Sequence, residues 1–268
     1  MKQYLPVREL TSVGFVVAIF LLVGLVNPDF LSAQNIMLCL NGGVVFTILA
    51  VGIAFVIIAG EIDVSIGATL GLSAAVSAVM IRDGAPWLLA VGASLLVGIL
   101  VGLVNGVGVT VFRVPSIIMT LGINGVVRGM SYLFTGGKWV ENVPFEYKAL
   151  SQASIGGFTV FYLGALLLTG LIYLLLSRTR RGRYYAAVGD NEMGATLRGI
   201  PVRTTKMSAL VLSGVFAAGA GLLYGSRVGF VTPTAGAGYE MKAIAACVLG
   251  GISLSGGVGS VLGAALGA

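Results

Sequence analysis

Long runs without a charged residue most constrain how this chain folds. Between Asp83 and Arg113 lie 29 uncharged residues, and 29 more separate Lys148 from Arg178. The last 26 residues carry no charge at all. A helix that crosses the hydrocarbon core of a bilayer needs ~20 apolar residues, so each run is long enough to cross. Because the bilayer cannot hydrogen-bond an exposed backbone, the crossings are predicted to be helices.

Counted over the whole chain, such runs predict seven or eight membrane segments. Charged residues make up only 10% of the chain, against about 25% in an ordinary soluble domain. The runs lack the alternating pattern of barrel strands and are too long for them. The predicted fold class is therefore an all-α integral membrane protein. We expect a polytopic helical bundle with broken or re-entrant segments, formed by residues 1–268 as one transmembrane domain.

Basic residues are concentrated in one loop. Seven of the 16 lysines and arginines lie between Arg178 and Lys206. Loops rich in these residues stay on the cytoplasmic side of the membrane, so a cytoplasmic loop is predicted at about 177–207. The two basic residues among the first ten place the N-terminus on the same side. GEIDVSIG (60–67) then falls at the inner end of the second crossing or within the membrane.

A short helix is predicted inside this loop, in the run DNEMGATLRGIP. Asp190 or Asn191 can cap its start, and Gly199 suits a left-handed cap at its end. A helix of eight or nine residues is marginal in water alone, so it must dock on something.

The predicted docking face of this helix is apolar. Met193, Leu197 and Ile200 recur at spacings of four and three residues, which places them on one side of a helix. Either the membrane surface or a groove on another protein can receive such a face. A soluble partner on the cytoplasmic side is the sharper hypothesis.

Two carboxylates interrupt the apolar sequence in GEIDVSIG. Glu61 and Asp63 are the only carboxylates that we expect close to apolar depth, and intramembrane ionisable residues are functional candidates by default. A structural alternative is a helix cap, in which Asp63 or Ser65 caps a helix that starts near Ile66. A cap does not exclude a role in a transport pathway.

A second run repeats the pattern of GEIDVSIG. The sequence GGISLSGG at 250–257 shares with it the pattern G-x-I-x-[VL]-S-x-G. Glycine-interrupted apolar segments point to a transport pathway in transporter folds. We therefore expect two related broken-helix elements that face each other. The run from Lys242 to Gly250 is too short to cross the membrane alone, which favours a re-entrant or kinked segment there.

Polar residues near these breaks are the candidates for a translocation path. For those within the crossings, a hydrogen bond to a neighbouring helix is the simpler alternative. The candidates are Glu61, Asp63, Ser65, Asn105, Thr120, Asn124, Ser253 and Ser255. Glycines at intervals of four, such as Gly98 and Gly102, predict close helix packing and nothing more.

No catalytic constellation is visible in the sequence. There is no histidine, so a Ser-His-Asp triad is impossible, and no G-x-S-x-G elbow occurs. A Walker A loop is absent, so the chain does not split ATP by that route. Cys39 and Cys247 are isolated and indicate neither a disulfide framework nor a metal site. We expect no catalytic residue, cofactor or metal, and no nucleic-acid partner.

Several stretches together resemble the membrane subunits of bacterial ABC importers for ribose, related monosaccharides and autoinducer-2. Besides GEIDVSIG, they are GLVNGVGV at 102–109, PSIIMTLGINGVVRGM at 115–130, RRGRYYAAVGDNEMGATLRGI at 180–200 and GYEMKAIAACVLGGISLSGGVGS at 238–260. TGGKW and the last stretch are most similar to the autoinducer-2 branch, with rhamnose-type permeases close behind.

This resemblance implies a permease subunit in the bacterial cytoplasmic (inner) membrane, surrounded by lipid. It would pair with a second permease chain, identical or different, with cytoplasmic ATPase subunits and with an extracytoplasmic solute-binding protein. The short helix would be the coupling helix that docks into the ATPase. Its residues would be Asn191, Glu192, Met193, Gly194, Ala195, Leu197, Gly199 and Ile200. Met193-Gly194 replaces the Ala-Ala pair that is usual in the family.

Relatives continue beyond the GGxGS motif, whereas this chain ends in VLGAALGA, so we expect it to be C-terminally incomplete relative to the family. The alternative function is an ion-coupled secondary transporter or channel in which Glu61 or Asp63 carries protons or sodium. The amphipathic helix and the absence of charges in the other crossings favour a protein that is driven from outside itself. An intramembrane enzyme is a distant third hypothesis.

Overall fold

The computed structural model describes residues 7–268. Its helices are α1 (Val7–Val26), α2 (Ala33–Gly42), α3 (Val44–Ile58), α4 (Ile66–Arg82), α5 (Trp87–Thr110), α6 (Ser116–Thr135), α7 (Phe145–Gln152), α8 (Val160–Arg178), α9 (Arg180–Asp190), α10 (Glu192–Leu197), α11 (Val202–Val228), α12 (Tyr239–Leu249) and α13 (Val261–Gly267). A 3₁₀ turn at Pro28–Leu31 precedes α2, and a small antiparallel hairpin pairs β1 (Ser154–Ile155) with β2 (Phe158–Thr159). The prediction of an almost entirely helical protein is confirmed.

Fewer helices of the described part are long and apolar enough to cross the membrane in full than the seven or eight segments predicted. By length and composition, four helices of the described part are long and apolar enough, namely α5, α6, α8 and α11. A fifth span is possible if α2 and α3, which are bent by 43°, count as one. Charges mark where an apolar run ends, but they do not show where the helix within it breaks. The uncharged C-terminal run accordingly holds two short helices, α12 and α13.

Helix α3 forms the centre of the bundle. Of its 15 residues, all but Phe46 are buried, and α8, α11, α12 and α13 surround it. Its sequence is apolar on every side, which is typical of a helix enclosed by protein or membrane.

Helices α5 and α11 approach each other closely through small residues. A Cβ atom added at Gly98 would lie 2.2 Å from the carbonyl oxygen of Gly214, and one at Gly102 would lie 2.6 Å from that of Leu210. The prediction that these glycines serve helix packing is confirmed. Because their backbones touch, α5 and α11 form a closely packed helix pair.

The two ends of the bundle separate the charged loops as the sequence predicts. Arg113 lies at the same end as α10 and the start of α11. At the other end, the backbone amide of Val140 donates to the carbonyl of Val231 at 2.8 Å, just beyond the end of α11. We call these the inner end and the outer end.

Two helices begin inside the bundle and not at either end. The hydroxyl of Ser213, eleven residues into α11, contacts Asp63 just before α4 begins. At 1.5 Å per residue this contact lies about 16 Å along α11, whose full length is about 40 Å. The chain after α11 returns into the bundle as a non-helical stretch at 229–238, which we call the re-entrant segment. It lies beside α4 until α12 starts at Tyr239.

Candidate functional site

The predicted cytoplasmic helix exists as α10 and is capped as expected. The side chain of Asn191 accepts a hydrogen bond from the amide of Gly194 at 2.8 Å, so Asn191, and not Asp190, is the N-cap. Asp190 instead ends α9, a helix that the sequence analysis did not predict. Gly199 has a φ of +73°, the left-handed conformation expected after the helix. At six residues, α10 is shorter than predicted.

The apolar face of α10 points away from the bundle. Met193 is 75% exposed and Leu197 is 84% exposed. Ile200 does not share this face, because it packs with Val188 and Ala195. The prediction that all three apolar residues form one docking surface is therefore wrong for Ile200. Only Met193 and Leu197 are available to a partner.

A lysine joins α10 to the first break in the membrane helices. We call residues 59–65, between α3 and α4, the first break. The Nζ atom of Lys206 lies 2.8 Å from Glu61 Oε1 and 2.7 Å from Glu192 Oε2. The Glu61 side chain is 13% exposed and that of Glu192 is 59% exposed, so the lysine links a sheltered carboxylate to an open one.

A cleft of about 390 Å³ opens beside this ion network at the inner end. It is lined by Glu61, Val109, Thr110, Arg113, Val114, Pro115, Glu192, Val202, Arg203 and Lys206. The cleft therefore lies between the first break, the end of α5 and the base of α10.

Farther along the first break, Asp63 is buried in a network of polar side chains. Its Oδ1 accepts hydrogen bonds from the amide of Ser65 at 2.9 Å and from the Ser65 hydroxyl at 2.6 Å. Its Oδ2 accepts from the hydroxyl of Ser213 at 2.8 Å. The Nδ2 of Asn105 donates to Ser65 Oγ at 2.8 Å. We call Asp63, Ser65, Asn105 and Ser213 the polar network.

Helix α6 holds the backbone of the first break. Thr120 Oγ1 accepts from the amide of Val64 at 3.1 Å, and Ser116 Oγ accepts from the amide of Ile62 at 3.1 Å. Neither amide has an acceptor within a helix, and the two hydroxyl oxygens act as the acceptors instead. Thr120 therefore bonds directly to the backbone of the first break. Ser116 and Ser213 were not among the predicted residues, because an isolated serine in an apolar run gives no signal.

The predicted cap of α4 is only partly correct. Ser65 is the N-cap residue, but its side chain makes no capping bond to the helix. Its hydroxyl donates to Asp63, and Asp63 in turn accepts from the Ser65 amide. The side chains of Asp63 and Ser65 therefore stabilise the conformation of the break. The start of α4 is stabilised by backbone hydrogen bonds, such as that from the Thr69 amide to the Ser65 carbonyl.

The two breaks with the shared pattern lie against each other. We call residues 250–260, between α12 and α13, the second break. The amide of Gly257 donates to the carbonyl of Ile58 at 2.9 Å. A Cβ atom at Gly256 would lie 2.7 Å from the Cα of Gly60, and one at Gly189 would lie 2.6 Å from the Gly257 amide nitrogen. Glycine is needed on both sides of this contact because the backbones touch.

Five of the eight predicted path residues lie outside the polar network, namely Glu61 and Thr120, described above, and the three that follow. Ser253 is half-buried and Ser255 is exposed, both within the second break. Asn124 is half-buried on α6, and its Oδ1 has no hydrogen-bond partner among the described residues. The structure therefore brings together Asp63, Ser65 and Asn105, with Glu61 on the same break and Thr120 bonded to that break from α6.

A third sheltered carboxylate was missed. Glu240, in the first turn of α12, is only 9% exposed, so the expectation that Glu61 and Asp63 are the only such carboxylates is wrong. A Cβ atom at Gly67 would lie 2.0 Å from Glu240 Oε2, which places this oxygen on the first turn of α4. In the sequence, Glu240 stands two residues before Lys242 and looks like part of a solvated charge pair.

The helical bundle, with its interrupted helices and buried polar network, defines a multi-pass membrane transport protein. Residues 35–268 match the family described as branched-chain amino acid transport system / permease component. The chain belongs to this permease family. No solved structure matches it.

Named relatives agree with this assignment. The chain is 41% identical over 268 residues to the autoinducer 2 import system permease protein LsrC of Enterobacter sp. strain 638, covering 100% of this chain and 78% of the relative. It is 40% identical over 261 residues to the protein of the same name in Escherichia coli K12, covering 97% and 76%. The Salmonella typhi protein of that name is also 40% identical, over 97% of this chain and 75% of its own length.

Proposed function

We propose that this chain is the permease subunit of an ABC importer that carries autoinducer-2, or a closely related carbohydrate-like solute, across the bacterial inner membrane. Full-length similarity to autoinducer 2 import permeases supports the choice of solute. ATP hydrolysis takes place on a separate cytoplasmic ATPase. A second permease chain, identical or different, and an extracytoplasmic solute-binding protein complete the importer, in which residues 1–268 act as one permease domain.

The observation that carries the proposal is the position of α10. Its two large apolar side chains are exposed at the inner end, where a soluble partner can reach them. Lys206 connects the same helix to Glu61 of the first break. A movement of α10 that follows ATPase closure is therefore passed to the break by an ion pair and not only by distant packing.

The first break is the proposed moving part of the translocation path. Its polar side chains lie about midway along α11, where irregular backbone is tolerated only if protein or water surrounds it. We assign the polar network, with Glu61, Thr120 and Asn124, to the wall of this path, and Ser253 and Ser255 to its inner edge. When α10 moves, this wall opens toward one side of the membrane or the other.

The alternative function is that of an ion-coupled transporter, and an experiment must distinguish it from an ABC importer permease. The contacts of the two carboxylates disfavour it. Glu61 is paired with Lys206. Asp63 already accepts three hydrogen bonds from the protein, which suits a fixed structural anion more than an exchanging ion site.

The decisive experiment is the Leu197→Asp substitution, which places a charge on the exposed apolar face of α10. We expect the wild-type protein, purified with a tag from its native host, to retain an ATPase subunit and a second permease. Leu197→Asp is expected to lose the ATPase by at least tenfold, because burying an unpaired carboxylate in the interface is strongly unfavourable. Mass spectrometry of the purified complexes measures the loss.

Thr204→Asp is the matched control, since Thr204 is also exposed at the inner end but lies in α11. This variant should keep the ATPase. Purification of the wild-type protein without any ATPase, together with solute uptake that collapses with the ion gradient, would favour the secondary transporter instead. Glu61 and Asp63 would then be the residues to examine.

A further inference from the structure

Helices α4 and α12 begin at the same place inside the bundle. The re-entrant segment lies on the first turns of α4, mainly through glycines and backbone atoms, with the Leu70 side chain also against Gly236. A Cβ atom at Gly71 would lie 2.3 Å from the carbonyl oxygen of Ala235, and one at Gly236 would lie 2.1 Å from that of Gly67. Two helix N-termini, each with a partial positive charge, therefore lie near each other at mid-depth of the bundle.

Glu240 is located at this junction. Its Oε1 accepts a hydrogen bond from the amide of Gly238 at 3.3 Å, within its own helix turn. Its Oε2 lies on Gly67 and is buried, with no hydrogen-bond partner among the described residues. Burying an acceptor without a partner is unfavourable, so this carboxylate oxygen calls for a partner that is present at another stage.

From this geometry we propose that Glu240 contacts the solute during translocation, with Oε2 accepting a hydrogen bond from a solute hydroxyl. This inference rests on the proposed function for the class of solute, a small molecule rich in hydroxyl groups. Hydrogen bonds to a carboxylate are stronger than those between neutral groups, which makes a single buried carboxylate an effective contact for such a solute. The two helix N-termini present partial positive charges to this carboxyl group.

The packing next to Glu240 is made mainly by small residues. The contacts of Gly67 and Gly71 with the re-entrant segment involve glycine, alanine and backbone atoms, and the Leu70 side chain lies against Gly236. Separation of the two surfaces at this level would uncover Glu240 and the Leu70 side chain together. In this structure α4 and the re-entrant segment are in contact, and the first break immediately precedes α4 in the chain.

Substitution by glutamine separates a solute contact from a structural role. Glu240→Gln keeps the size of the side chain and an acceptor for the Gly238 amide, but it removes the negative charge. We expect the KM for labelled autoinducer-2 uptake to rise at least tenfold, with a maximal rate, ATPase retention and melting temperature close to wild type. Glu240→Asp should be intermediate. Unchanged uptake kinetics in Glu240→Gln, or loss of complex assembly without any change in KM, would overturn the proposal.

Thiol labelling tests the same position without relying on transport. In a background with Cys39→Ser and Cys247→Ser, Glu240→Cys should react with a small membrane-impermeant methanethiosulfonate reagent, and autoinducer-2 should slow the reaction at least threefold. Ala243→Cys, fully buried on the same helix, is the matched control and should not react. If Glu240→Cys is inert from both sides of the membrane, Glu240 does not line the path. If Glu240→Cys reacts but wild-type uptake needs no ATPase, the proposed ABC importer function is wrong. The assignment of Glu240 to the translocation path is then still supported.

Discussion

The first and second breaks share a sequence pattern but are built in different ways. In the first break the polar side chains are buried and hydrogen-bonded, and Asp63 alone accepts three bonds. In the second break the corresponding serines make few contacts, and Ser255 is exposed. Glycines there carry the structure, with φ values of +83° at Gly256 and +74° at Gly257.

This difference separates two ways of stabilising irregular backbone within a membrane bundle. The first break satisfies its backbone and carboxylate through side chains from α5, α6 and α11, which makes it dependent on three partners. The second break depends on backbone approach to Gly60 and Gly189, which makes it dependent on the absence of side chains. The same motif can thus form a buried polar network in one place and a close-packed backbone support in the other.

The largest effect is expected when the carboxylate of the first break is removed. Asp63→Ala leaves the donors of Ser65 and Ser213 buried without an acceptor, which costs about 3 kcal/mol. The melting temperature in detergent, followed by tryptophan fluorescence, should fall by roughly 6–12 °C. Asp83→Ala is the control, because Asp83 is exposed and pairs only with its neighbour Arg82. A variant at position 63 that melts like the control would show that the polar network does not hold the break.

A smaller but clear effect is expected from adding a methyl group to the second break. Gly256→Ala introduces a side chain at a φ of +83°, and the new Cβ would lie 2.7 Å from the Cα of Gly60. We expect a loss of about 2 kcal/mol, from backbone strain and from separation of the two breaks.

Gly125→Ala provides the comparison for that variant. Gly125 lies in α6 with open space around it, so an added methyl group meets nothing within 4 Å. It should be neutral or slightly stabilising, since alanine favours a helix over glycine. Equal melting temperatures for the two glycine variants would contradict the close contact between the breaks.

The smallest effects compare the two equivalent serines. Ser65→Ala removes a hydroxyl that bonds to both Asp63 and Asn105 and should cost about 1 kcal/mol. Ser255→Ala removes an exposed hydroxyl and should stay within about 0.5 kcal/mol of wild type. Thermal unfolding of both single variants measures the difference. A larger loss at Ser255 than at Ser65 would reverse the roles that we assign to the two breaks.

Features with a local cause could be predicted from the sequence. The apolar runs gave the helical membrane fold, and Asn191 and Gly199 marked the ends of α10 because caps depend only on nearby residues. The repeat of the G-x-I-x-[VL]-S-x-G pattern led to the correct expectation that the two breaks meet.

Features that depend on distant parts of the chain could not be predicted. Glu240 is buried because the re-entrant segment brings it to Gly67, and nothing near it in sequence reports that contact. Ile200 turns inward because Val188 and Val202 provide an apolar surface beneath it. The sequence also predicts more crossings than the described part has long apolar helices, since buried helices shorter than the bilayer are possible where other helices enclose them.

The position of Lys206 has a consequence for how a docked partner is sensed. One ammonium group is shared between two carboxylates, and the outer one, Glu192, is the more exposed. A basic side chain of a docking protein that binds Glu192 competes with the lysine for it. Lys206 then pairs with Glu61 alone, so binding at Glu192 changes the electrostatic balance at the first break.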